Sequence, residues 1–247
     1  MPLVRVEPAA RCRIVGRLNR FVVRVSLDGV LRDVHINNTG KLVDVLVPGR
    51  EGLCIETRTG RLGLRLFSVW YNGGFAVLDT NLQEKAFALA VDKGLIPWLR
   101  GCRVASRSPR VGRHRLDLEL DCPMGRVLVE TKSAVLVDNG GLALYPDTVS
   151  LRGREHVRLL SSLADKGYNV ALVFIAAFPG ARGFRPYEGG DPEMPGLVAE
   201  AFKRGVIVRS VGLEYSVGSR AVSMYNPDLP VIIPGVGVIG GEGSLHC

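Results

Sequence analysis

The chain has 247 residues, 47% of them hydrophobic and 23% charged, which supplies an ordinary buried core and excludes a disordered polymer. Its 32 Lys and Arg against 24 Asp and Glu leave a net charge of +8 and a pI near 9.5, a balance that favours polyanionic partners. The longest apolar run, 170–178, is too short to cross a bilayer and no basic-then-apolar leader opens the sequence, so a cytoplasmic protein without a membrane partner is expected.

In chain order, the first eighty residues read as short strands parted by turn chemistry. A long Val- and Ile-rich strand is predicted over Arg13–Leu27, turned by Asp28-Gly29 into Val30–Ile36. Asn37-Asn38-Thr39-Gly40 and Pro48-Gly49 are further turns, followed by strands at Gly52–Thr57, Arg61–Tyr71 and Gly74–Asp79. Five such strands predict a small barrel over 1–80, either of the oligonucleotide-binding (OB) kind or SH3-like. Arg5, Arg11, Arg13, Arg17, Arg20, Arg24 and Arg32 meet only Glu7 and Asp28, so this arm is the clearest basic surface.

At Asn81 the period changes to a helix through Lys93, capped by Thr80 or Asn81 and stopped by Gly94. Alternating strands and helices then predict an α/β domain over 81–211. A hairpin is expected at Val135–Val137 and Leu142–Leu144, a helix over 150–166, a buried strand at Asn169–Ala176, a helix opened by Asp191-Pro192, and a last strand at Val206–Val211. Residues 212–247 read as a loosely attached tail. The cysteines at 12, 54, 102, 122 and 247 have no metal-ligand spacing and read as reduced thiols, with a disulfide between two of them left open.

The most informative stretch is 113–133, where Arg-His-Arg-Leu-Asp-Leu-Glu-Leu-Asp and Arg-Val-Leu-Val-Glu-Thr-Lys-Ser flank Cys-Pro-Met-Gly. Alternation places Leu116, Leu118 and Leu120 on one face and Arg115, Asp117 and Glu119 on the other. Glu130 and Lys132 share a face, and Asp117 falls across from Val129 or Glu130. Two carboxylates and an ammonium on one patch suit Mg²⁺, which needs few protein anions, and a water made acidic by the metal. An exposed strand face with one incidental ion pair is the plain alternative.

Three further groups carry candidate phosphate contacts. His35, Asn38 and Lys41 flank the 37–40 turn, which either cradles phosphate through backbone N–H groups or is simply a capped turn. Arg152 and His156 share a helix face near an anion-attracting N-terminus, with Asp147 ahead of them as a metal or water contact or an N-cap. Arg113, His114 and Arg115 either clamp phosphate or neutralise the nearby acids.

His35…Asn38-Thr39-Gly40, Asp79-Thr80-Asn81, Gly112…Arg115-Leu116-Asp117, Val129-Glu130-Thr131-Lys132-Ser133, Pro146-Asp147…Arg152-Gly153…His156 and Gly205-Val206 occur in this order. Together they resemble the sugar fermentation stimulation protein family, to about residue 211. The resemblance implies an N-terminal OB domain, a C-terminal domain of the PD-(D/E)XK nuclease type, and Asp117, Glu130 and Lys132 as its triad. It also implies DNA binding and a link to sugar-utilisation genes. Many members carry a glutamate upstream of the triad where this chain has Ser108 and its neighbours; Glu84 is the candidate substitute.

The expectation is therefore a two-domain DNA-binding protein with a Mg²⁺- or Mn²⁺-dependent phosphodiesterase site. Asp117 and Glu130 would be the ligands and Lys132 the water-positioning group. Arg13, Arg17, Arg20, His35, Asn38, Lys41, Arg115, Arg152 and His156 would meet nucleic acid. The rival is a non-catalytic regulator on the same scaffold. No phosphate-loop or dinucleotide fingerprint supports a sugar- or nucleotide-binding enzyme.

Overall fold

In the computed structural model, which describes residues 1–57 and 61–241, a short strand β1 (Pro2–Arg5) precedes five barrel strands. These are β2 (Ala10–Asn19), β3 (Val22–Leu27), β4 (Val30–His35), β5 (Glu51–Glu56) and β6 (Leu64–Tyr71). Alternation turns Cys12, Ile14, Val23, Val25 and Val34 inward, while Arg11 and Arg13 stay in solvent. Antiparallel neighbours follow the order β4-β3-β2-β5-β6, and β4 meets β6 in parallel at His35 and Arg65. That closure makes an OB barrel and removes the SH3-like alternative. The single strand expected over 13–27 is instead a hairpin, because the Asn19 side chain accepts the Phe21 N–H at 2.9 Å and reverses the chain.

Strand β7 (Gly74–Val77) leads into helix α1 (Thr80–Asp92). Its cap is Asp79, not Thr80 or Asn81. One carboxylate oxygen of Asp79 accepts from Leu82 N–H and from the Asn37 amide, at 3.0 and 2.7 Å, and the other pairs with Arg65 at 2.7 Å. Next come β8 (Arg103–Arg107), β9 (Arg110–Val111), β10 (His114–Arg115), β11 (Leu118–Cys122), β12 (Gly125–Ala134), β13 (Leu136–Val137) and β14 (Leu142–Tyr145). Then follow α2 (Leu151–Ala164), β15 (Asn169–Ala176), β16 (Gly183–Pro186) and α3 (Met194–Lys203).

The chain closes with β17 (Ile207–Ser216), β18 (Ala221–Leu229), β19 (Val231–Ile233) and β20 (Gly237–Ile239). Strands β12, β15 and β17 lie parallel, flanked by antiparallel β11 and β18. Because β7 pairs with both β6 and β17, the barrel and this central sheet form one hydrogen-bonded surface.

The sheet divides the core. Val129, Val173 and Val211 face α1 and run into the barrel interior, whereas Leu172 and Phe174 face α2 and α3. The expected tail is not loose: residues 212–229 complete the sheet, and β1, counted with the barrel in the sequence reading, pairs with β18 instead. Gly212 reads locally as a break, yet it is there because a Cβ would sit 2.4 Å from the Tyr225 ring. Tyr225 in turn donates to Phe178 O and accepts from Ala181 N–H.

Cys102 and Cys122 form a disulfide across 20 residues, the pairing that the sequence left open, while Cys12 and Cys54 are free and buried, as reduced thiols. Cys247 lies outside the described residues. Among the described residues no helix is long and apolar enough to cross a membrane. Because the bridge closes a loop of this length, the Cys102→Ala/Cys122→Ala variant should lose about 3 kcal/mol of unfolding free energy in urea. An unchanged midpoint would show that the bridge constrains nothing.

Candidate active site

The hairpin that carries the acids is interrupted at Asp117. Leu118 pairs with Val129, but Leu116 belongs to the core under α2 while Leu118 and Leu120 belong to the core under α1. The three leucines therefore do not share a face as alternation suggested. The interruption frees Asp117 to orient its side chain. Its N–H donates to Val129 O at 3.1 Å, and its Oδ2 accepts from Thr131 N–H at 2.7 Å and from the Thr131 hydroxyl at 2.6 Å.

Glu130 is 3% exposed, under α2. One carboxylate oxygen takes the Lys132 ammonium at 2.5 Å and the His156 Nδ1, whereas Oε2 is buried with no hydrogen-bond partner. Burial alone pushes the Glu130 carboxyl up, but Lys132 and His156 together hold it below the usual range. For Lys132, burial opposes its charge, and Glu130, with help from Tyr145 and Asp117, raises it above the ordinary lysine value. Asp117 has no such partner, so burial and then the charge of Glu130 push its carboxyl up despite the Thr131 bonds.

These three side chains open into a cavity of about 660 Å³ between the barrel and the C-terminal domain. Arg20 and the 37–42 loop form its barrel wall; β12, β14 and the start of α2 form the rest. The loop is fastened at several points. Arg17 spends its guanidinium on the carbonyls of Asn19, Arg20, Asn38, Gly40 and Lys41. Asn38 reaches Ser133 at 3.3 Å, and Leu42 N–H donates to Asp147 at 2.7 Å. Gly40 permits that contact, since a Cβ there would lie 2.6 Å from the Asp147 carboxylate.

Several sequence assignments change accordingly. Arg17 holds a loop and has no N–H left for nucleic acid. Asp147 binds the barrel loop and does not cap α2; Ser150 does, accepting from Gly153 N–H at 3.1 Å. His156 is buried against Glu130 and is not a surface phosphate contact. Asn38 is also buried, and His35 sits at the β4–β6 closure away from the cavity.

Arg13 is exposed at a different depression beside Trp70. Arg20 and Arg152 line the cavity, and Lys41 is exposed on its loop. Arg115 and Arg152 line a neighbouring recess. Burial, then the charge of Asp117 and more weakly that of Glu130, push the Glu84 carboxyl up, but its side chain is paired with Arg107 at 3.1 Å.

Sequence reasoning missed Thr131 and Tyr145. Thr131 sits between two acid-chemistry residues, a position that alternation assigns to the opposite face. Tyr145 lies beside a cis proline bond and lines the cavity, its hydroxyl pushed up by burial.

The model of the sugar fermentation stimulation protein RE domain matches residues 81–219, and that of the SfsA N-terminal OB domain matches residues 15–78. The chain belongs to the sugar fermentation stimulation protein family. A Pyrococcus furiosus homolog in this family is 40% identical over 94% of this chain and all of its own length. An Archaeoglobus fulgidus homolog is 41% identical with the same coverage. A solved Pyrococcus furiosus SfsA structure, in complex with Ca²⁺, superposes with a TM-score of 0.88, covering 94% of this chain and 99% of that one at 40% identity. The family's two-part architecture is thus the one seen here, an N-terminal OB barrel followed by the RE domain.

A divalent ion fits the residues present. Glu130 Oε2 is an unpartnered buried acceptor, and Asp117 is destabilised by a neighbouring negative charge that a cation would offset. Among the described residues no three His, Cys, Asp or Glu side chains are grouped to hold a metal. Two carboxylates suit an ion that keeps several waters.

The stability consequences have opposite signs for the two acids. Asp117, raised in the folded state, contributes stability only as pH falls through its folded value, so its charge opposes folding at neutral pH. Glu130, lowered, stabilises above the ordinary carboxylate range and loses that contribution as pH falls through its folded value. Without divalent ions at pH 7, Asp117→Asn should therefore melt higher than wild type, because the amide oxygen can still accept from Thr131. Glu130→Gln should melt lower, leaving the largely buried Lys132 without its counter-charge, a loss on the order of 3–5 kcal/mol. Thermal melts in a chelating buffer check both, and the same direction for the two variants would contradict this electrostatic account.

Proposed function

We propose that this protein binds nucleic acid across the cleft between its barrel and its C-terminal domain and hydrolyses phosphodiester bonds there. The observation that carries the reading is the pair of unequal carboxylates. Glu130 is held ionised by Lys132 and His156 with Oε2 unpartnered, and Asp117 is oriented by Thr131 and short of a compensating cation. Asp117 and Glu130 would hold Mg²⁺ or Mn²⁺. When bound, such an ion polarises a phosphodiester and acidifies a coordinated water. The Ca²⁺ complex of the Pyrococcus furiosus relative supports a divalent ion in this fold.

The chain's own side chains supply the rest. Lys132 keeps a positive charge beside Glu130, where it can offset negative charge building on the phosphate and orient the attacking water. His156 keeps Glu130 deprotonated and turned into the cavity. Arg20 and Arg152, on the two walls, and Lys41 on the loop attract the flanking phosphates. DNA is the partner that the family resemblance favours, in a cytoplasmic setting.

The second reading is a DNA-binding regulator of sugar-utilisation genes that keeps the scaffold without cleaving. The pairing of Glu130 with both Lys132 and His156, which a purely structural network would also make, favours it. The two separate on turnover. With Mn²⁺ and labelled DNA and RNA, wild type should cleave, while Glu130→Ala and Lys132→Ala should each lose at least on the order of 100-fold in rate. Equal rates in wild type and Glu130→Ala would remove the assigned site, and no cleavage by wild type would leave the regulator.

Mn²⁺ affinity should weaken on acidification beginning above the ordinary carboxylate range, because in the metal-free protein the Asp117 carboxyl is raised and its proton competes with the ion. Mn²⁺ titrations whose affinity held constant down through that range would contradict the assignment of Asp117.

A further inference from the structure

The cavity has a neighbour that shares part of its lining. A recess of about 290 Å³ adjoins it, walled by Arg110, Arg113, Arg115 and Arg152. Arg152 and His156 line both spaces, and the His114 ring stands edge-on to the His156 ring at 5.9 Å between centroids. Arg110, Arg113, Arg115 and Arg152 are all exposed, so four guanidiniums surround a concavity one side chain away from Glu130. Glu155 is the only acid among the recess-lining residues. On the barrel wall, Arg20 lies 5.6 Å from the Phe21 ring centroid, and Phe21 is 49% exposed.

The acids themselves are not at the surface. Glu130 is 3% exposed and the Lys132 side chain 12%, at the bottom of a cleft whose barrel wall is fixed by Arg17 and Asp147. A space of about 660 Å³ falls within the range of roughly 300–1,000 Å³ for small-ligand sites. A phosphate inside an intact duplex is flanked by a second strand and by stacked bases, which the fastened loop would meet before the phosphate reached Glu130. An unpaired strand carries no such bulk and can turn its bases outward.

We infer that the substrate is an unpaired strand, or the unpaired end of a duplex, threaded so that one phosphate lies over Asp117, Glu130 and Lys132 while its neighbour occupies the arginine recess. This rests on the phosphodiesterase reading of the cavity and adds the substrate class. The recess receives the neighbouring phosphate through Arg113 and Arg115, whose planar guanidiniums match phosphate oxygens. Phe21, with Arg20 beside it, offers a face on which a base leaving the barrel side of the cavity stacks.

The test is fluorescence anisotropy with end-labelled oligonucleotides in Ca²⁺: an unpaired strand, a blunt duplex of the same sequence, and that duplex with an unpaired overhang, each as DNA and as RNA. The unpaired strand and the overhang, of whichever sugar binds, should bind at least about tenfold tighter than the blunt duplex. Arg113→Glu/Arg115→Glu should weaken unpaired-strand binding at least about tenfold and flatten the log–log salt dependence. Phe21→Ala should weaken it about fivefold or more. Melting curves establish that the exposed-site variants are folded.

A blunt duplex bound as tightly as the unpaired strand would overturn the inference, as would unchanged affinity in folded Arg113→Glu/Arg115→Glu. Preference for unpaired strands without any Mn²⁺-dependent cleavage would support it while overturning the phosphodiesterase reading.

Discussion

A carboxylate kept ionised inside the fold is the constraint on which the rest depends. Glu130 would take up a proton in such a place if it were alone, since burial disfavours charge. Lys132, two residues along the same strand, and His156, from α2, prevent that. The arrangement holds only if α2 docks in one position on the sheet. Ser150 caps its first turn, and Arg154 near its start is tied to the fully buried Asp191 ahead of α3. The two helices are thereby locked together beneath the strand that bears Glu130. Asp117 stands at the break beside that strand and has no partner of this kind. The asymmetry between the two acids is what makes the cluster look like a place for a cation and not a closed structural network.

The barrel takes part in the site instead of sitting beside it. Asp79 caps α1 while binding Arg65 and Asn37 of the barrel, so the first helix of the C-terminal domain is positioned by barrel residues. The 37–42 loop then crosses to Ser133 and Asp147. Side chains that look like phosphate ligands on composition alone, Arg17 above all, are consumed in fixing that loop. A basic chain spends part of its charge on its own carbonyls, and only the remainder is available to a polyanion.

Much was legible in one dimension. Barrel strands, the buried strand Asn169–Ala176, the two-residue separation of Glu130 and Lys132 and the turn at Pro123 follow from local alternation, apolar runs and turn chemistry. These signals act over a few residues and survive in the sequence. The extent of the C-terminal sheet was not legible, because Gly212 signals a break locally and is required instead by the approach of Tyr225 from thirteen residues away. The Cys102–Cys122 bridge was equally hidden: pairing depends on β8 and β11 lying side by side, which no spacing encodes.

The sequence by itself determined the ingredients: a basic two-part chain, an aspartate, and a glutamate with its lysine on neighbouring strands, in an order that resembles one family. Tertiary structure decided which of those groups are free to act. His156 and Asp147 became internal partners, Thr131 became the donor that aims Asp117, and four arginines from a short hairpin and a helix start met around one recess. The physical reason is that hydrogen-bonding and ion-pairing partners are chosen by proximity in space. Proximity between residues a hundred positions apart is a property of the packed sheet and helices, not of the local pattern that names each residue.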